Sequence, residues 1–239
     1  MNVLAIGNSF SQDATRYLAQ IARVDSFRMN VVNLYIGGCS LDMHFRNIMA
    51  DRKAYSAEIN GFTSGFFVSV KDALLSREWD IITLQQVSGG SGKYESYQPY
   101  LDELAAYVRK YAPKAKLFIH QTWAYEDNSA LLLSRYGYTD SKDMYNDLKK
   151  AYEMAAEAIG ADGIIESGRL MQMLIENGIE KIHRDTFHLT LGAGRFAAGL
   201  LWYKVLTGNS IDSVAFDDFD ELVSEKEIEI IKKCINEVI

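Results

Sequence analysis

The sequence is short of proline, cysteine and positive charge. With 2 prolines in 239 residues, little interrupts helices and strands, and a proline-rich or disordered chain is excluded. The 2 cysteines, Cys39 and Cys234, stand far apart in dissimilar contexts. A disulfide framework would need more of them and a metal site would need Cys and His clustered, so both are read as free thiols. Lys and Arg number 25 against 32 Asp and Glu, a net charge of -7. A face that grips nucleic-acid phosphates needs the opposite balance, so no nucleic-acid partner is expected. No run approaches the roughly 20 apolar residues of a membrane span. A secretion signal is not visible either, because Val3-Leu4-Ala5-Ile6 leads straight into a glycine-bearing turn. As it stands the sequence is expected in the cytoplasm, and in the periplasm or outside the cell if a leader has been removed.

What is present is a chain long enough, and at 48% hydrophobic residues apolar enough, for one domain over 1–239 with a large core. Short apolar runs alternate with amphipathic stretches. Strands are expected at Val3–Ile6, Met29–Tyr35, Asp80–Gln86, Lys116–His120 and Gly163–Ile165. Helices are expected at Asp13–Ala22, Ser69–Ser76, Tyr97–Tyr111, Ser141–Ile159, Ala193–Leu206 and Ser224–Val238. Strands separated by helices imply parallel pairing through right-handed crossovers, hence an α/β fold: a three-layer α/β/α sandwich on a mainly parallel five-stranded sheet. The stretch 58–68 breaks the rhythm, and its Asn60-Gly61 pair predicts a small inserted β-hairpin.

In such a sheet, ligands bind at the carboxyl ends of the strands. Polar residues and glycines gather there: Gly7-Asn8-Ser9-Phe10-Ser11, Gly37-Gly38-Cys39-Ser40, Gln85-Gln86-Val87-Ser88-Gly89-Gly90 and His120-Gln121-Thr122-Trp123. The loop before the penultimate helix adds His183-Arg184-Asp185-Thr186-Phe187-His188. A serine at a strand-to-helix turn is an exposed nucleophile if a base stands beside it; taken singly, Ser9 or Ser11 also reads as a helix N-cap. Asp185 and His188, three residues apart, fit a turn in which the carboxylate orients the imidazole toward that serine, or an Asp that caps a turn beside a structural His. An ester's oxyanion needs donors, and the N–H groups of Ser9 and of Gly37 or Gly38 are candidates. So is the Gln86 side chain, which otherwise reads as a tie between loops.

Gly7-Asn8-Ser9 near the start, the glycines at 37–38 and Asp185-Thr186-Phe187-His188 near the end resemble the blocks of the SGNH/GDSL-type serine hydrolases in order and spacing, over essentially the whole chain. The resemblance implies a flavodoxin-like SGNH hydrolase fold, Ser9 as nucleophile, Asp185 and His188 as its partners, Gly38 as an oxyanion donor, and no cofactor. It also implies esterase activity on small O-acyl groups, with a small-molecule or carbohydrate ester as substrate. Two departures stand out. Asn8 replaces a common aspartate, and the third block lacks its Gly-x-Asn-Asp pattern. The glutamine pair there matches a poorly characterised bacterial branch, with Gln86 as the replacement donor.

Trp123 is the candidate wall of a substrate pocket, while Tyr97 and Tyr100 read as core edge. His44 and His120 read as structural, His183 with His188 is too little for a metal, and the acidic run 217–221 reads as a solvated loop. Two other functions share these residues: an acyltransferase using the same triad, and a non-catalytic phosphate- or flavin-binding module that uses the first loop alone.

Overall fold

The computed structural model describes the backbone of residues 1–239 and every side chain except that of Leu131. In chain order the elements begin with β1 (Asn2–Gly7), α1 (Ser9–Thr15), α2 (Leu18–Val24), β2 (Asn30–Tyr35) and α3 (Leu41–Met49). The hairpin β3 (Tyr55–Ile59) and β4 (Phe62–Val68) follows, then α4 (Val70–Leu75), β5 (Ile81–Leu84), α5 (Tyr100–Tyr111) and β6 (Lys116–His120). The last part holds α6 (Ala130–Tyr136), α7 (Ser141–Ile159), β7 (Gly163–Ile165), α8 (Ser167–Glu176), α9 (Ala193–Thr207) and α10 (Glu225–Val238).

All seven strands form one sheet in the order β4-β3-β2-β1-β5-β6-β7. Strands β2, β1, β5, β6 and β7 run parallel to one another, the expected five-stranded body. Val3 through Ile6 are buried on both sides, as a central parallel strand requires. Helices α1, α2 and α10 pack with α9, and α4 and α7 with α5, as two groups flanking the sheet. Of the 15 residues of α9, 11 are buried, Phe196 and Trp202 included, which makes it a core helix rather than an amphipathic cover.

The hairpin differs from its expected form. It does not stand apart, because β3 pairs antiparallel with β2 and extends the sheet from five strands to seven. That pairing covers backbone groups that the β2 edge would otherwise expose. Its turn residues Asn60 and Gly61 have φ of 52 and 85°, left-handed at both positions as a two-residue hairpin turn of the right twist needs. The first helix also differs: it starts at Ser9 and breaks before Leu18. Helices α3, α6 and α8 are additional to those the sequence pattern predicts. In α3 the buried face carries His44 and Asn47, which hides the apolar period.

His44 and His120 are structural, as read from the sequence. Both are wholly buried, and burial holds each near a pKa of about 3. His120 Nδ1 donates to Gln85 Oε1 at 2.8 Å, and His44 Nδ1 lies 2.8 Å from the Tyr55 hydroxyl. His183, also buried, is lowered mainly by burial, against the pull of Glu126. A folded-state value below the unfolded one means that unfolding takes up protons. The stability these groups support is complete above the unfolded pKa of about 6.5 and is lost as pH falls toward the folded value. We expect a loss of about 2 kcal/mol for each of His44 and His120 between about pH 7 and about pH 5, measured by urea unfolding. A stability unchanged across that interval would contradict their burial as neutral groups.

Candidate active site

Strand β1 ends at Gly7, and Asn8 caps the helix that follows by accepting from Phe10 N at 3.0 Å. Ser11 completes the capping box and bonds Asn33 Oδ1 at 2.7 Å, which identifies Ser11 as the structural serine. Ser9 is left on the rim. His188 Nε2 lies 2.8 Å from Ser9 Oγ, and His188 Nδ1 lies 2.8 Å from Asp185 Oδ2. The other oxygen of Asp185 accepts from the His188 backbone N–H at 2.8 Å. With a carboxylate on Nδ1, the neutral ring carries its proton there, and Nε2 is free to accept from the serine hydroxyl. Burial pulls the Asp185 carboxyl upward, but the hydrogen bonds and charge of His188 outweigh it and hold the group below its ordinary value. Asp185 therefore stays ionised through the neutral range.

The turn that brings Asp185 back to His188 is strained. Thr186 has φ of 75°, a left-handed conformation that costs a β-branched residue about 1–3 kcal/mol. It is held from several sides. Arg184 N donates to His188 O at 2.8 Å, and Glu126 N donates to Thr186 O at 2.9 Å. Trp123 Nε1 donates to Phe187 O at 2.7 Å.

Beneath the turn lies Asp13, whose side chain is 0% exposed. Its oxygens accept from Arg184 Nη1 at 3.0 and 3.1 Å, from Arg195 Nε at 2.8 Å and from Leu189 N at 3.0 Å. Asp220 pairs with Arg16 at 2.6 Å and with Arg195 at 3.2 Å, and Glu221 accepts from Leu191 N at 3.0 Å. Part of the acidic run expected to be solvated thus anchors both α1 and the histidine loop.

A cavity of about 350 Å³ opens beside Ser9 and His188, lined also by Tyr35, Gly38, Ser88, Arg184 and Phe187. Gly38 has φ of 63°, a conformation that favours glycine. Neither its N–H nor that of Ser9 has a partner among the described residues. Cys39, next to it, is buried, and burial pushes its thiol up to about 12.

Two expected site residues are elsewhere. Gln86 is not an oxyanion donor: its Nε2 donates to Ser96 O at 2.8 Å and to Ser96 Oγ at 3.0 Å, and its Oε1 accepts from Leu41 N at 3.0 Å. A buried amide must satisfy both ends, and these partners turn it away from Ser9. Gln85, pointing to the other side, donates to Asn8 Oδ1 at 2.9 Å. Trp123 is not a pocket wall. It is 0% exposed and stacks on Phe10 with ring centroids 4.3 Å apart, so it supports the histidine loop from behind. The residue that sequence reasoning missed is Ser88, whose hydroxyl lies 2.9 Å from that of Tyr125. Its only sequence signal is its place just past a strand end.

The family model described as "Domain of unknown function (DUF4886)" matches residues 2–237. A crystal structure of a DUF4886 family protein from Bacteroides uniformis ATCC 8492 is 32% identical and covers 100% of this chain and 94% of its own, with a TM-score of 0.93. The structure of TesA, 15% identical, covers 87% of this chain and 99% of its own with a TM-score of 0.54. A GDSL-like lipase from Parabacteroides merdae ATCC 43184, 13% identical, covers 87% and 95% with a TM-score of 0.53. These last two share the fold, which is that of the SGNH/GDSL hydrolases. No curated protein matches the chain in sequence.

Replacing Asp13 by Asn removes the buried charge that its contacts with the part-exposed Arg184 and Arg195 require. Breaking a buried pair in this way costs about 3–5 kcal/mol, and we expect Asp13→Asn to lower the urea midpoint accordingly. A loss below about 1 kcal/mol would show that the cluster is solvent-screened like an ordinary surface pair.

Proposed function

The chain belongs to the DUF4886 family, and we propose that it is a serine esterase of the SGNH type that cleaves small O-acyl esters, acetyl esters first among them, through an acyl-enzyme on Ser9. The observation that carries this reading is the unbroken chain of hydrogen bonds from Asp185 through His188 to Ser9 at the edge of a cavity.

In the reaction, His188 Nε2 takes the hydroxyl proton as Ser9 Oγ attacks the ester carbonyl. Asp185 steadies the imidazolium that forms. The tetrahedral intermediate collapses, and His188 hands its proton to the departing alcohol. Water then enters and gives a proton to the same nitrogen as its oxygen attacks the acyl carbon, and collapse of this second intermediate breaks the bond to Ser9, releasing the acid as His188 returns the proton to Ser9 Oγ. The backbone N–H groups of Ser9 and Gly38 are the donors proposed for the oxyanion. Ser88 is the third, in the place where Gln86 was expected. Burial, the largest cause, raises the Tyr125 phenol to about 12, so that phenol keeps its proton and can donate to Ser88 Oγ. The Ser88 proton is then free to face the cavity.

Size supports small substrates. A cavity of about 350 Å³ is near the lower limit of ligand pockets, enough for a short acyl group with one sugar-sized alcohol. That is the support for a carbohydrate ester as the natural substrate.

We expect Ser9→Ala to lower kcat/KM on 4-nitrophenyl acetate by about 10⁴-fold or more with the fold intact. Ser88→Ala should lower kcat by roughly tenfold to a hundredfold with KM little changed, whereas Gln86→Ala should lower thermal stability first. Full activity in Ser9→Ala would end the esterase reading. Full activity in Ser88→Ala would remove only the third donor.

A further inference from the structure

The protein carries a net charge of -7, yet no Asp or Glu lines the cavity beside Ser9, and Arg184 is its one Lys or Arg. This guanidinium is incompletely used. Its Nη1 makes every hydrogen bond described for it, two to Asp13 and one to Leu189 O. Its Nε and Nη2 have no partner among the described residues, and the side chain is 28% exposed. Within the ion-pair cluster, three arginines, Arg16, Arg184 and Arg195, share two aspartates, Asp13 and Asp220. Nε–H and Nη2–H lie side by side on one edge of the guanidinium, the edge that binds a carboxylate with two parallel hydrogen bonds. Asp13 holds the opposite end still, so the free edge is pre-organised.

We propose that Arg184 selects esters that carry an anionic group, a carboxylate foremost, within reach of the cavity. This rests on the esterase reading and narrows its substrate class. The anion can belong to the acyl group or to the alcohol, and in either case it is fixed while the ester carbonyl lies against Ser9. Cationic esters are disfavoured by the same charge.

Two matched pairs test it. The first is 4-nitrophenyl hemisuccinate against 4-nitrophenyl butyrate, which places the charge on the acyl side. The second is an acetylated methyl glucuronoside against the corresponding acetylated methyl glucoside, which places it on the alcohol. The expected result is a kcat/KM ratio favouring the anionic member of at least one pair by roughly tenfold to a hundredfold, the range of a charge-assisted contact. The ratio should shrink as salt is raised. It should fall toward unity in Arg184→Gln and lie between in Arg184→Lys, which keeps the charge but loses the paired donors. Because each ratio is taken within one protein, a loss of folded enzyme cancels from it, and the wild-type ratio with its salt dependence stands without any variant. Equal or reversed ratios in both pairs, with the neutral esters still cleaved, would overturn the selection by charge and leave the esterase standing. A preference that survives Arg184→Gln would overturn the role of Arg184. Failure to cleave any of the four esters would defeat the esterase reading and this one with it.

Discussion

The buried carboxylate of Asp13 joins the two ends of the molecule. It sits on the helix that begins at Ser9 and accepts from Arg184, Leu189 and Arg195, so the turn bearing Asp185 and His188 cannot move without uncovering a charge. A carboxylate removed from water must be met by cations and donors or it is expelled. That necessity overcomes the cost of ordering a loop 179 residues along the chain from Ser9. It also lets Thr186 persist at a φ of 75°. Relaxing that one residue would loosen its own contact with Glu126 and those of Phe187 with Trp123 and of Leu189 with Asp13.

A second set of contacts holds the rim from the sheet side. Asn8 caps α1, accepts from Gln85 and donates to Cys39 O at 3.0 Å. One side chain thereby links the ends of β1 and β5 with the loop after β2. Gln86 links that same strand end to the start of α3 and to Ser96. The donors proposed for the oxyanion therefore lie on segments that are tied together before any substrate arrives. Such pre-organisation is what makes hydrogen bonds to a developing charge effective.

The parallel sheet was legible because fully buried strands such as Val3–Ile6 and Ile81–Leu84 are short, apolar and flanked by helices with clear periodicity. The partners of Ser9 were legible because the order of the three blocks brings an aspartate and a histidine three residues apart to the edge where Ser9 stands; the strained Thr186 turn that joins them was not. Side-chain direction was not legible. Gln86 stands at the strand end where a donor was sought, yet whether its amide faced Ser9 or Ser96 depended on a 3₁₀ turn at Tyr94–Ser96 that no periodicity announces. Trp123 failed for a related reason: an aromatic residue after a strand looks the same in sequence whether it faces solvent or, as here, stacks under Phe10. The acidic run 217–221 read as surface because its partners Arg16 and Arg195 are distant in sequence.

The proposed esterase requires Ser9 to be an activated nucleophile in the folded protein. The most direct measurement is stoichiometric reaction with a fluorophosphonate, read by intact mass and peptide mapping, on native protein and on protein held in denaturant. One adduct per native chain is expected, located on Ser9, and none once the fold that brings His188 to it is lost. Absence of labelling in the native protein, or an adduct on any other residue, would contradict the activation of Ser9.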